Sequence, residues 1–250
     1  MSSNVPFTSD NLDTYLKALA KEYKKLSGKG TPAEIILIGG AAILANYGFR
    51  ESTYDMDALI SASSAMHDAI SHVGDEYGLP NGWLNEDFIK TKSYTPKLWQ
   101  YSVHYKEFGR ILEVRTVRGE YLLAMKMMSA RDYKNDLSDI VGIIAEHQQR
   151  QLPMTWEMVE RAMLELYGSW ESVTPETIQL VRDALALPDA GVLYDKYRAE
   201  ELATKDFLTD FEQKYPKVAN QDNIASILAQ AKKKREQQTN DTPKSKGVYR

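Results

Sequence analysis

The chain has 250 residues, enough for one large domain or two small ones. With 43% hydrophobic and 26% charged residues it has the composition of a globular protein, and its net charge of −4 argues against a broadly basic nucleic-acid binder while leaving room for a local basic patch. There is no cysteine, so a disulfide framework and a thiolate zinc site are excluded, and four scattered histidines give no metal cluster. No stretch has the pattern of a signal peptide or the length of a membrane span, so a cytoplasmic location is expected.

Taken in order, residues 1–8 read as a loose leader. Ser9 or Asp10 suits an N-cap, and Leu12, Tyr15, Leu16, Leu19, Tyr23 and Leu26 form one apolar stripe of a helix ending near Leu26. Its other face carries Lys17, Lys21, Lys24 and Lys25, a solvated face or a phosphate contact. Glu34 to Ile38 is a short apolar run that stops at Gly39-Gly40. Ala41 to Tyr47 is helix-compatible, Gly48 ends it, and Thr53 to Ile60 alternates. The pattern predicts strand, glycine turn, short helix, strand.

Within the second strand, residues two apart share a face, so Asp55 and Asp57 present two carboxylates side by side. Alone they repel and raise each other's pKa. A divalent cation removes that penalty, and Mg²⁺ takes a few carboxylates together with substrate phosphates. Glycines without Cβ atoms let backbone N–H groups approach a phosphate, and the start of the following helix adds partial positive charge. Separately, a Gly-Gly pair is a common turn and Asp-x-Asp a common solvated strand face. Together, in this order, they describe a phosphate-and-metal site.

Gly39-Gly40 followed by Thr53-x-Asp55-x-Asp57 resembles the signature of the nucleotidyltransferase (polymerase-beta-like) superfamily. With Arg50 upstream, it is similar to the branch holding the AbiEii-type toxins. The resemblance implies Asp55 and Asp57 as metal ligands for Mg²⁺ or Mn²⁺, Gly39 and Gly40 as the triphosphate cradle, and Arg50 and Thr53 as supporting residues. It also implies a third carboxylate on a neighbouring strand. Glu113 is the only acid in the alternating run Arg110 to Val117, which makes it the candidate; an ion pair on an exposed sheet face is the other reading.

Ala65 to Tyr77 should form a helix broken by Pro80-Asn81-Gly82. Trp83 could stack a base or pack in the core, and Asn85 is a weaker site candidate. Residues 93–117 read as a β region in which Pro96 forces an edge strand or a loop. Tyr121 to Ile144 carries a strong helical core pattern with Lys126 inside it, followed by Arg131, Asp136 and Asp139. A buried lysine needs a partner. By resemblance to the second element of the AbiEii-like branch, Lys126 and Arg131 would meet the triphosphate and Asp136 would orient a basic neighbour. Lys134 stands where that element is shifted. The competing reading is a salt bridge between helices.

From Pro153 onward the pattern is helical: Met154 to Tyr167, Thr174 to Leu187, Tyr194 to Tyr215 and Asn223 to Glu236. Thr174-Pro175-Glu176 is a strong helix start. The tail from Lys232 is polar and basic, and residues 239–250 are expected to be disordered. The reading is an α/β (α+β) fold: a small mixed-sheet nucleotidyltransferase core over 1–118, then a helical region over 119–238. The expected reaction moves a nucleoside monophosphate from a nucleoside triphosphate to a hydroxyl. The acceptor is open between an RNA such as a tRNA 3′ end, a small molecule and a protein side chain. A toxin role with an antitoxin partner follows from the resemblance alone. The alternatives are a non-catalytic nucleotide- or partner-binding module on the same fold, and a helical interaction protein with a coincidental Asp-x-Asp.

Overall fold

The computed structural model describes residues 6–131, 134–220, 223, 224 and 226–230. The tail and the whole basic run at Lys232 to Arg235 lie outside them, as does the end of the last expected helix. Helix α1 (Ser9–Ser27) opens with a capping box in which the Thr8 side chain and Asn11 cap each other's backbone N–H groups. Its stripe of Leu12, Tyr15, Leu16, Leu19 and Tyr23 is buried, while Leu26 stays exposed near the C-terminal end. Each buried leucine of that stripe contributes roughly 1.5–3 kcal/mol.

Strands β1 (Ala33–Leu37), β2 (Met56–Ser61), β3 (Leu84–Asn85), β4 (Ser102–Phe108) and β5 (Leu112–Val117) form one mixed sheet in the order β3-β2-β1-β5-β4. β1 runs antiparallel to β2 and parallel to β5; β2 and β3 are parallel; β4 and β5 form an antiparallel pair with an irregularity between His104 and Lys106. The β1 residues Ile35, Ile36 and Leu37 are fully buried, which identifies β1 as a central strand covered on both faces. Helix α2 (Gly39–Asn46) follows β1 directly and covers one face, where Asn46 accepts a hydrogen bond from the Thr116 hydroxyl of β5. Helix α3 (Ala65–Tyr77) packs on α1.

β2 starts later than the alternation at Thr53 suggests. Thr53 instead pairs with Phe7, each backbone N–H donating to the other's carbonyl at 2.7 and 2.9 Å. The segment around Pro96 becomes a 3₁₀ turn (Pro96–Trp99) capped by Thr95, not a strand, because proline has no N–H to offer a ladder. Trp83 is buried against Phe7 and Tyr15 and donates its indole N–H to the Ile70 carbonyl, which is the packing role.

The rest is helical: α4 (Gly119–Ser129), α5 (Asp136–Gln149), α6 (Trp156–Tyr167), α7 (Pro175–Ala186) and α8 (Gly191–Lys214). Helix α4 packs on α5 and α6, and α5 also packs on α7 and α8. Ala130 ends α4 in the left-handed region (φ 39°), so the chain turns before α5 begins. The fold is therefore α/β, with a five-stranded mixed sheet and a helical C-terminal region.

Candidate active site

A cleft of about 380 Å³ opens where the end of β1, the start of β2, the turn after β3 and the α4–α5 junction meet. Gly39, Gly40, Arg50, Thr53, Asp55, Asp57, Lys126, Arg131 and Asp136 all line it. The register explains why Asp57 faces the glycines. Ile38 donates its N–H to the Asp57 carbonyl at 2.8 Å, so the last residue before the glycine turn lies beside Asp57. A Cβ built on Gly39 would stand 3.5 Å from Asp57 Oδ2, and Gly39 adopts φ 57°, a left-handed conformation that favours glycine. At Gly40 a Cβ would meet Thr53 Oγ1 at 2.6 Å and Arg50 Nη2 at 2.9 Å. Glycine there lets both side chains close on the N-terminus of α2.

The two carboxylates differ. Asp55 is exposed and accepts a long hydrogen bond of 3.4 Å from the Thr53 hydroxyl. Asp57 is half-buried, and burial first, then the adjacent Asp55 charge, pushes its carboxyl above the ordinary range; Lys134, Lys126 and Arg131 pull the other way. Among the described residues, no group of three or more histidine, aspartate or glutamate side chains is arranged to hold a metal. A cation here would take the aspartate pair and complete its shell with water and phosphate oxygens, which is how Mg²⁺ is usually held.

The helical wall is organised differently. Lys126 is buried, with its Nζ 2.9 Å from Asp136 Oδ1 and 2.7 Å from Asp139 Oδ2. Arg50 reaches Asp139 at 2.6 Å and Arg131 reaches Asp136 at 2.9 Å. Burial alone would lower the Lys126 pKa, but the two aspartates outweigh it and hold it raised. Burial likewise works against ionised Asp136, yet Lys126 and Arg131 keep its carboxyl far below the ordinary range. The salt bridge between helices is thus what the geometry shows for Lys126. Its ammonium is committed to aspartates, and the cleft sees it through them.

Glu113 requires a correction. It pairs in register with Glu34 at the start of β1, whereas Asp57 lies beside Ile38, four residues along the strand or roughly 13 Å away. Its carboxylate meets His104 Nδ1 at 2.7 Å on the outer part of the sheet. It is not part of the cleft lining, because β5 runs parallel to β1 toward the site and Glu113 sits near its start, level with Glu34. Asn85 is also spent locally, donating to the Gly82 carbonyl and accepting from the Asp87 N–H.

Three cleft residues had no strong sequence signal. Asp87 and Lys90 lie on a 3₁₀ turn (Asp87–Lys90) after β3, and Lys134 projects from the α4–α5 junction. The one local hint for Asp87 is that it follows a two-residue strand paired with β2, and a strand that short has no readable periodicity.

A carboxylate pair at the start of a strand, in one cleft with the glycine-led N-terminus of a helix at the end of the neighbouring strand, defines a nucleotidyltransferase-like protein. A family model described as "Nucleotidyltransferase of unknown function (DUF6036)" matches residues 14–172, more than half of the 250, and the chain belongs to that family. No curated protein matches the chain, and no solved structure does. The matched span contains every residue of the cleft and stops before α7 and α8.

Proposed function

We propose that this chain is a metal-dependent nucleotidyltransferase that moves a nucleoside monophosphate from a nucleoside triphosphate to a hydroxyl. The observation that carries this reading is the approach of Asp57 to Gly39 within one cleft. Asp55 and Asp57 would hold Mg²⁺ or Mn²⁺. When bound, the metal would neutralise charge on the phosphates and stabilise the attacking and leaving oxygens. The N–H groups at the start of α2 would receive the triphosphate oxygens, helped by the helix's partial positive charge. Arg50 and Thr53 would hold that helix start in place from behind Gly40. Lys134 would supply positive charge at the cleft wall, where Lys126 and Arg131 are engaged with Asp136 and Asp139.

The likeness to the AbiEii-type branch supports an RNA acceptor such as a tRNA 3′ end, and with it a toxin held in check by an antitoxin. Incubation with each labelled triphosphate, Mg²⁺ or Mn²⁺ and total RNA tests both. Label appearing in RNA, with pyrophosphate released, is the expected result. Label in a small molecule or a protein keeps the reaction and replaces the acceptor. One observation favours the second reading, a nucleotide-binding module without turnover: the expected third carboxylate, Glu113, lies outside the cleft. Tight metal-dependent triphosphate binding with no pyrophosphate released under any condition would establish that reading instead.

A further inference from the structure

Among the described residues, the acids lining the cleft are Asp55, Asp57, Asp87 and Asp136. Asp136 is buried and bound on both oxygens by Lys126 and Arg131, so it can neither reach a substrate nor take a proton readily. Asp55 and Asp57 are the metal pair of the reading above. That leaves Asp87. It is exposed; Lys90 holds its Oδ1 at 2.6 Å, and among the described residues its Oδ2 has no partner.

The strand order says which side of the reaction Asp87 serves. β2, which carries Asp57, lies between β1 and β3. β1 delivers Gly39 and Gly40 on one flank of Asp57; β3, paired at Asp57 with Asn85, delivers the Asp87 turn on the other. In phosphoryl and nucleotidyl transfer the attacking and leaving oxygens lie roughly in line across the phosphorus. If the departing pyrophosphate rests on the glycine flank, the acceptor must enter from the β3 flank.

We infer that Asp87 is the general base for the acceptor hydroxyl, positioned by its ion pair with Lys90 on the turn after β3. The acceptor O–H gives its proton to the free Asp87 oxygen. The acceptor oxygen forms a bond to the α-phosphorus. The bond from that phosphorus to the α,β-bridging oxygen breaks, and pyrophosphate departs with the electron pair. This inference rests on the nucleotidyltransferase reading. It also explains how the cleft can work without Glu113: the base comes from a loop on the opposite edge of the metal strand.

The test compares Asp87→Asn, Asp87→Glu and the unsubstituted chain, using labelled nucleoside triphosphates, Mg²⁺ and total RNA, with binding of a non-hydrolysable triphosphate measured in parallel. Asp87 is exposed, so both variants should fold, and their melting temperatures check this. The expected result for Asp87→Asn is unchanged triphosphate binding with transfer reduced roughly 10²-fold or more. Asp87→Glu should recover part of the rate. Transfer by Asp87→Asn at the original rate overturns the assignment, as does a loss of triphosphate binding that accounts for the loss of rate. If the unsubstituted chain releases no pyrophosphate with any triphosphate, the parent reading has failed and the role of Asp87 falls with it. Failure of Asp87 alone, with transfer intact in the unsubstituted chain, leaves the parent reading standing.

Discussion

The two walls of the cleft handle charge in opposite ways. On the sheet side, Asp55 and Asp57 stand together, one exposed and one half-buried, and among the described residues no cation is in salt-bridge contact with them. On the helical side, Asp136 and Asp139 are almost fully buried, and Lys126, Arg131 and Arg50 are bound to them. Buried charge on the helical wall is neutralised inside the protein. Charge on the sheet wall is left for something that arrives. The first arrangement suits structure and the second suits ligation. The contrast also shows why Lys126, which looks like a substrate ligand when read along the chain, acts as a structural cation in three dimensions.

The sharpest way to break the comparison is to remove the sheet-side charge. Asp55→Asn combined with Asp57→Asn should abolish metal-dependent triphosphate binding or turnover. The melting temperature of the free protein should hold or rise, because two mutually repelling acids are gone. Full triphosphate affinity by calorimetry, with transfer intact, would show that this wall is not the ligand side. The reverse outcome is expected on the helical wall. Lys126→Ala leaves two buried aspartates short of a partner and should cost about 3–5 kcal/mol. Thermal melting should therefore fall by roughly 10 °C, with triphosphate affinity of the folded fraction little changed. An unchanged melting temperature with a 10- to 100-fold loss of affinity, roughly what a charge-assisted contact of 1.5–3 kcal/mol would give, would return Lys126 to the substrate.

A third test concerns how α8 meets the same wall. Glu201 is the one buried residue of that helix; it accepts the N–H groups of Leu137 and Ser138 at 3.0 and 3.1 Å and the Ser138 hydroxyl. Burial pushes its carboxyl up to about 7, although the Ser138 and Leu137 donors oppose the shift. A carboxyl whose folded pKa is raised contributes stability that is full below its ordinary value of 4.5 and is lost as pH climbs through about 7. The loss is on the order of 3 kcal/mol at most. Melting of the unsubstituted chain should thus decline between pH 5 and pH 8 more steeply than melting of Glu201→Gln. Parallel curves would mean that Glu201 is not the titrating group. The smallest effect belongs to Gly40→Ala. Its new methyl would press on Thr53 Oγ1 and Arg50 Nη2, which can give slightly, so about 1 kcal/mol should be lost in a denaturant titration.

What the sequence revealed was what is written locally. Ala65–Tyr77 is helical within the expected bounds because its apolar spacing is regular and Gly78 stops it in the left-handed region. The glycine pair and the Asp-x-Asp run lie within one short stretch, so the heart of the cleft could be read directly. Glu113 could not be judged that way. Its strand alternates as expected, but only the parallel register with β1 shows that it lies too far back. The late start of β2 had the same origin, since Phe7, far away in the chain, takes Thr53 out of the strand. Asp87 was hidden for a different reason: a two-residue strand and a 3₁₀ turn leave no periodic trace, and its place in the cleft follows from the pairing of β3 with β2.

The Phe7–Thr53 pairing ties the loop that carries Asp55 to the chain's opening residues. Two backbone hydrogen bonds, each contributing about 0.5–1.5 kcal/mol, and a phenylalanine packed against Trp83 hold that loop from outside the sheet. Cutting the ring back with Phe7→Ala would strip that anchor and loosen the loop two residues before Asp55, at a cost to global stability because Phe7 is fully buried. On heating, the variant should lose any metal-dependent nucleotide binding at a lower temperature than its helical circular dichroism, because the loop lets go before the sheet does.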